Sequence, residues 1–199
     1  MADNRRVIAH GIVTGHATNE ARGGANHHLD DLFGIEHGPD LGLFDANDNL
    51  DSNRLREYMT EMFAKSDTQV VTLKGGVTHI YNPTDNVLVT LDPKNAGDFG
   101  TIYRPSDPDK FQRIVAAAGR ENPQSPPRPR VGPRAVDGAI GKFEERISKN
   151  PGMMNLLQRK ADELGVEVEP IKGVFPVRPE DPQLTDARAE IDEAVAVNP

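Results

Sequence analysis

TQVVTLKGGVTHIYNPTDNVLVTLDPKNAGDFGTIYR, residues 68–104, reads as four short strands and the turns that join them. Val70, Val71 and Leu73 make an apolar run that Lys74-Gly75-Gly76 breaks. Paired glycines between β-rich runs signal a hairpin, because glycine accepts the positive φ of a tight turn. Val77 to Tyr81 is β-branched and aromatic, and Asn82-Pro83-Thr84-Asp85-Asn86 closes it. Proline presets φ there, and Asn and Asp side chains bond the local backbone. Val87, Val89 and Leu91 alternate with Leu88 and Thr90, a longer loop follows, and Thr101-Ile102-Tyr103 is the last run before Pro105. Short connections between consecutive strands predict an antiparallel meander.

Upstream, RLREYMTEMFAK (54–65) places Leu55, Tyr58, Met59, Met62 and Phe63 on one helical face. A sheet this small needs a face covered, and this helix is the expected cover. Downstream, Asp107-Pro108 opens a helix carrying Phe111, Ile114 and Val115 that ends near Gly119. PQSPPRPRVGPR (123–134) holds five of the 16 prolines and three arginines, a polyproline-type spacer or a basic strand that follows phosphate or an acidic surface. Val136–Ser148 and a helix opened by Asn150-Pro151 and closed by Gly165 form a helical hairpin. Val166–Lys172 alternates like an edge strand, and 184–196 suits an acidic helix. The predicted fold is α+β: a small four-stranded antiparallel sheet packed by a helix, then a Pro-rich linker and a helical C-terminal part. The predicted divisions are an acidic, His-rich, loop-rich region (1–52), an α+β core (53–119), a Pro/Arg-rich linker (120–135), and the hairpin with its acidic tail (136–199). Within 1–52, Arg6–Val13 reads as a strand or a helix start interrupted at Gly15. Asn19–Phe33 forms a helix only if Gly23-Gly24 is tolerated.

The chain carries a net charge of −8, distributed as −6 over 1–52, zero over 53–113, +3 over 114–134 and −5 over 166–199. The only basic excess is therefore central. Apolar residues are 36% and aromatics 5%, lean for 199 residues, which predicts one core with lightly packed flanks. Without cysteine there is no disulfide framework and no thiolate metal site. No apolar run reaches the ~20 residues of a membrane span, and no signal-peptide core is present. That predicts a protein that stays in a cytoplasm or enters a particle assembled there.

Five of the six histidines (His10, His16, His27, His28, His37) fall in 1–52, near Asp30 and Asp31, without a metal-ligand spacing. Asp45, Asn47, Asn49 and Asp51 resemble the start of a calcium loop, but Leu50 and Arg56 stand where glycine and glutamate belong. An Asx turn capping the next helix through Ser52 or Asn53 is the simpler reading, and no metal or cofactor is expected. His79 is the one histidine set on a regular element, sharing a strand face with Tyr81. With Lys94, Thr101, Tyr103 and Arg104 nearby in sequence, this is an inventory for metal-free RNA cleavage: a base for the 2′-hydroxyl, an acid for the leaving oxygen, a cation for the phosphorane. The plain alternatives are a cross-strand surface histidine, solvated charges, and a turn at Asp98-Phe99-Gly100 that buries Phe99.

THIYNPTDNVLVTLDP (78–93) resembles the (H/R)-x-Y-(N/D)-P-x-(T/D)-N strand–turn–strand of contact-dependent toxin tips. KNAGDFGTIYRPSDPDKFQRI (94–114) is similar to their K-x-A-x-DFG segment with its following Phe-x-x-Ile helix. Residues 72–114 thus resemble the polymorphic-toxin ribonucleases grouped with barnase, EndoU, the colicins and RelE. That resemblance implies a four-stranded antiparallel sheet after one or two helices. It implies His79 and Lys94 as catalytic residues and Thr101, Arg104, Tyr81 and Tyr103 as substrate-binding residues, acting on tRNA or another structured RNA. The whole chain, with its lean core, Pro-rich arm and acidic ends, points instead to a component of a larger assembly, of phage-particle or secretion type. Such a component binds other proteins through extended segments.

Overall fold

The meander forms where its turn chemistry places it. A computed structural model describes residues 2–17, 41–46, 51–95, 97–121 and 128–168. Strands β1 (Gln69–Thr72), β2 (Thr78–Asn82), β3 (Val87–Leu91) and β4 (Gly100–Tyr103) pair antiparallel in succession. At the first turn Leu73 N–H donates to Val77 O at 2.8 Å, and Gly76 takes φ 93°. At the second, Thr84 N–H donates to Asn82 Oδ1 at 3.0 Å, and Asn86 accepts φ 52°. At the third, Phe99 sits at φ 65° and Gly100 at φ 153°, where a Cβ would run into the carbonyl of Thr90. Only glycine fits there.

The sheet has five strands, not four, in the order β4-β3-β2-β1-β5. β5 (Arg130–Val131) comes from the Pro/Arg-rich segment and pairs with β1 through Gln69↔Val131 and Val70↔Arg130. The proline-set extended backbone that suits a spacer also suits an edge strand, a position that proline tolerates.

The described residues form five helices: α1 (Ala2–Ala17), α2 (Ser52–Ala64), α3 (Lys110–Glu121), α4 (Pro133–Ile147) and α5 (Pro151–Leu164). The sheet row Val70–Ile80–Val89–Ile102 is buried on one face. There α4 lies against β1 and β2, α1 lies against β4, α1 packs on α2 and α5, and α2 packs on α4. α3 packs on the opposite face, where Phe111 and Ala118 join Val71, Tyr81 and Leu88. The helix at 54–65, read as the cover, packs on α1 and α4, and it is α4 and α1 that lie against the strands. Residues 1–169 make one compact unit that takes in α1, α4 and α5 along with the sheet, and residues 170–199 fall outside the described residues.

α1 differs most from the reading of 1–52 as loop-rich. Val7, Ile8, Ala9, Ile12 and Val13 are all buried. Gly11 and Gly15, one turn apart, press against the loop before β4: a Cβ on Gly11 would strike the Phe99 ring, and one on Gly15 would strike Asp98. The glycines are contact points rather than interruptions. Asn4 Nδ2 donates to Glu144 Oε1 at 2.8 Å, and Arg5 pairs with Asp137, tying α1 to α4. Buried His10 sits between Arg56 Nη1, 3.2 Å from Nδ1, and Glu163 Oε2, 2.9 Å from Nε2. A guanidinium only donates, so Nδ1 accepts and Nε2–H donates, which makes His10 neutral. Burial holds its pKa below the ordinary value.

The cap of α2 is Asp51, whose carboxylate accepts from Asn53 N–H at 2.8 Å. The side-chain cap thus falls one residue before Ser52. Asn150 caps α5 as its sequence predicts, and Gly165 closes it at φ 64°. Residues 166–168 form no strand, and the possible helices at 19–33 and 184–196 lie outside the described residues. No helix among the described residues is long and apolar enough to cross a membrane.

Candidate functional site

The register sets Val71, His79, Thr90 and Thr101 side by side, and Gln69, Tyr81, Leu88 and Tyr103 in the next row of the same face. His79, Thr101, Tyr81 and Tyr103 therefore share one surface, and α3 covers its Tyr81 end. The Phe111 ring stacks on Tyr81 with centroids 4.8 Å apart. His79 is half-buried, its Nδ1 3.0 Å from Thr90 Oγ1. Burial, with the nearby Lys110 cation, pushes its pKa down to about 4, so the imidazole is neutral at physiological pH. Burial also raises the Tyr81 and Tyr103 phenols above their ordinary value. Lys110 lies outside the sequence-derived set, since nothing in its sequence neighbourhood shows that α3 folds back over β2.

Arg104 and Lys94 are not brought together. Arg104 Nε donates to the Asp85 carbonyl at 2.9 Å, beside the turn that ends β2. Lys94 is exposed in the loop at the other end of β4, its backbone N–H bonded to Asp92 Oδ1 at 2.9 Å.

Residues 78–93 and 94–114 act as joints of the fold. Asp85 Oδ2 accepts from Tyr58 OH at 2.8 Å, from Lys65 Nζ at 2.7 Å and from Asn82 Nδ2 at 2.5 Å. Burial opposes its charge, yet the bonds from Lys65 and Tyr58 hold its carboxyl below the usual range. Asn86 bridges Tyr81 OH, 3.0 Å away, and the Pro105 carbonyl, 2.9 Å away. In the second segment, buried Asp98 Oδ1 accepts from Gly100 N–H at 3.0 Å and from Asn95 Nδ2 at 2.5 Å. Phe99 is buried edge-on to Phe143 of α4.

No family model, no curated protein and no solved structure matches this chain.

At the other edge of the sheet lies a cleft of about 630 Å³. Its floor is Val70, Val71 and Thr72 of β1, one wall is Ala135, Gly138 and Ala139 of α4, and Arg128, Arg130 and Lys142 bring three cations to it. All three are exposed, and among the described residues no carboxylate pairs with them. The basic excess over 114–134 is the sequence signal for this cleft. Lys142 and the small-residue wall carry no such signal, because only the packing of α4 on β1 brings them there.

Proposed function

We propose that this chain is an interaction component of a larger assembly, of phage-particle or secretion type, and that it engages its partner through the arm at residues 128–131. The observation that carries this reading is the way the arm is held. It is laid along β1 as β5, yet Arg128, Arg130 and Val131 stay exposed. Val131, at 59% accessible, is the one large apolar side chain exposed among the described residues. An apolar residue beside unpaired cations on an ordered strand is a docking surface at little ordering cost. Pro129, lacking an N–H, keeps that edge from pairing indiscriminately with other strands. A photo-crosslinking residue at position 131, introduced in the host cells, tests this. One dominant protein adduct is expected, lost with R128E/R130E, and no such adduct from a probe at Lys94. Equal labelling from both positions, or none from 131, overturns the reading.

A second reading keeps the ribonuclease that the resemblance implies, cutting tRNA or another structured RNA. Its support is the neutral His79, able to take a proton, in a row with Thr90 and Thr101 and within the field of Lys110. Induction of wild type beside His79→Ala separates the two. Arrest with discrete RNA fragments, relieved by the substitution, establishes the nuclease, whereas normal growth and intact RNA with soluble protein removes it.

A further inference from the structure

We propose that the cleft between β1, the arm and α4 binds an extended acidic peptide segment of a protein partner. This assignment rests on the interaction reading above and names the chemistry of the partner. Three features carry it. The first is charge: Arg128, Arg130 and Lys142 converge on one cleft whose lining, among the described residues, holds no Asp or Glu. Unpaired cations around a concave surface call for an anionic ligand.

The second is the unfinished edge of β1. Leu73 N–H bonds Val77 O, so residues 73, 71 and 69 turn their backbone groups toward β2. Gly132 N–H bonds Thr68 O, so residues 68, 70 and 72 turn theirs toward β5. The β1–β5 ladder stops at Val70↔Arg130, and among the described residues no strand pairs with the outward side of Thr72, which lines the cleft with Arg128. A chain docking there would add to that edge, as in strand addition.

The third is the lining between the cations. Half-buried Pro129 and Ala135 offer small apolar surface beside the backbone of β1, and among the described residues the lining holds no aromatic ring. Nucleic-acid grooves stack bases on aromatic side chains and track many phosphates. Three cations on a chain of net charge −8 make a poor phosphate track. Alternating carboxylates and small apolar side chains match both parts of the lining.

Gly138 supplies the test. A Cβ built there meets nothing within 4 Å, so a larger side chain enters the cleft without displacing the fold. The probe is a fluorescein-labelled decapeptide of alternating Glu and Val, titrated with the full chain by fluorescence anisotropy. Its Gln/Val counterpart and a ten-nucleotide single-stranded RNA are run beside it. The Glu/Val peptide is expected to bind, to weaken about tenfold or more in G138L and in R130E, and to weaken as salt rises, with the Tm of G138L no lower than wild type. Absence of peptide binding, binding unmoved by G138L, or tighter binding of the RNA overturns the assignment. The two proposals fail separately. A position-131 adduct in cells without peptide binding leaves the interaction role standing and removes the acidic-peptide assignment, whereas loss of both removes both.

Discussion

At the scale of single residues, glycines with opposite surroundings make the sharpest contrast. Gly15 of α1 touches Asp98, while Gly138 of α4 faces open cleft. Both are helical, and alanine in place of either gains about 1 kcal/mol of intrinsic helix propensity. Gly138→Ala is therefore expected to raise stability by up to ~1 kcal/mol. Gly15→Ala is expected to lower it by about 1–3 kcal/mol, because overpacking outweighs propensity. Urea unfolding of the two variants checks the opposite signs. Histidine titration gives a second expectation. His10 and His79 both have folded pKa values below the ordinary 6.5, His79 near 4. The unfolded chain thus takes up protons first as pH falls. Their stabilising share is complete above about pH 6.5 and is lost on acidification, with about 2 kcal/mol of the His79 part gone by pH 5. Glu144, raised by burial, acts in the opposite sense: its share is present at low pH and lost as pH rises through its folded pKa. A thermal melt series from pH 7.5 to 5 should show Tm falling, and falling less in His79→Gln.

At the scale of elements, the connections hold the sheet's faces in place. Asp85→Asn removes the charge to which Tyr58 and Lys65 donate, and it is expected to cost about 2 kcal/mol, the range for hydrogen bonds to a charged group. α3 depends on Phe111 stacked on Tyr81. Phe111→Ala is expected to cost about 3–5 kcal/mol and to loosen α3. The His79 pKa, followed by NMR, should then climb from near 4 toward 6.5; a value that stays near 4 would show that α3 is not what desolvates it. The four-strand meander was legible because each of its turns has local chemistry: Gly75-Gly76, Asn82 to Asn86, and Asp98 to Gly100. α5 was legible from Asn150-Pro151 and Gly165 for the same reason. α1 and β5 were not. Gly15 means a break until Asp98 is seen against it, and Arg130-Val131 means nothing until Gln69 and Val70 lie beside it. Of the sequence-derived site, the shared face of His79, Tyr81, Thr101 and Tyr103 followed from strand alternation. The separation of Lys94 from Arg104 needed the length of β4, and Lys110 and the cleft needed tertiary packing.

At the scale of the molecule, the core at 53–119 does not stand apart from what precedes and follows it. α1 joins α5 through the His10–Glu163 bond, across 153 residues of sequence, and joins α4 through Asn4–Glu144, across 140. A fragment of residues 51–121 leaves the Val70–Ile80–Val89–Ile102 face without α1, α4 and α5. It should show no cooperative thermal transition by circular dichroism, whereas 1–168 should. The same arrangement bears on synthesis at the ribosome. The meander is complete at Tyr103, but α4, which lies against β1 and β2, finishes only at Ile147, roughly 45 residues later. At ~5–20 residues per second, that leaves the β1–β2 part of an apolar sheet face bare on the nascent chain for about 2–9 s, long enough for chaperone capture or aggregation to compete with native closure.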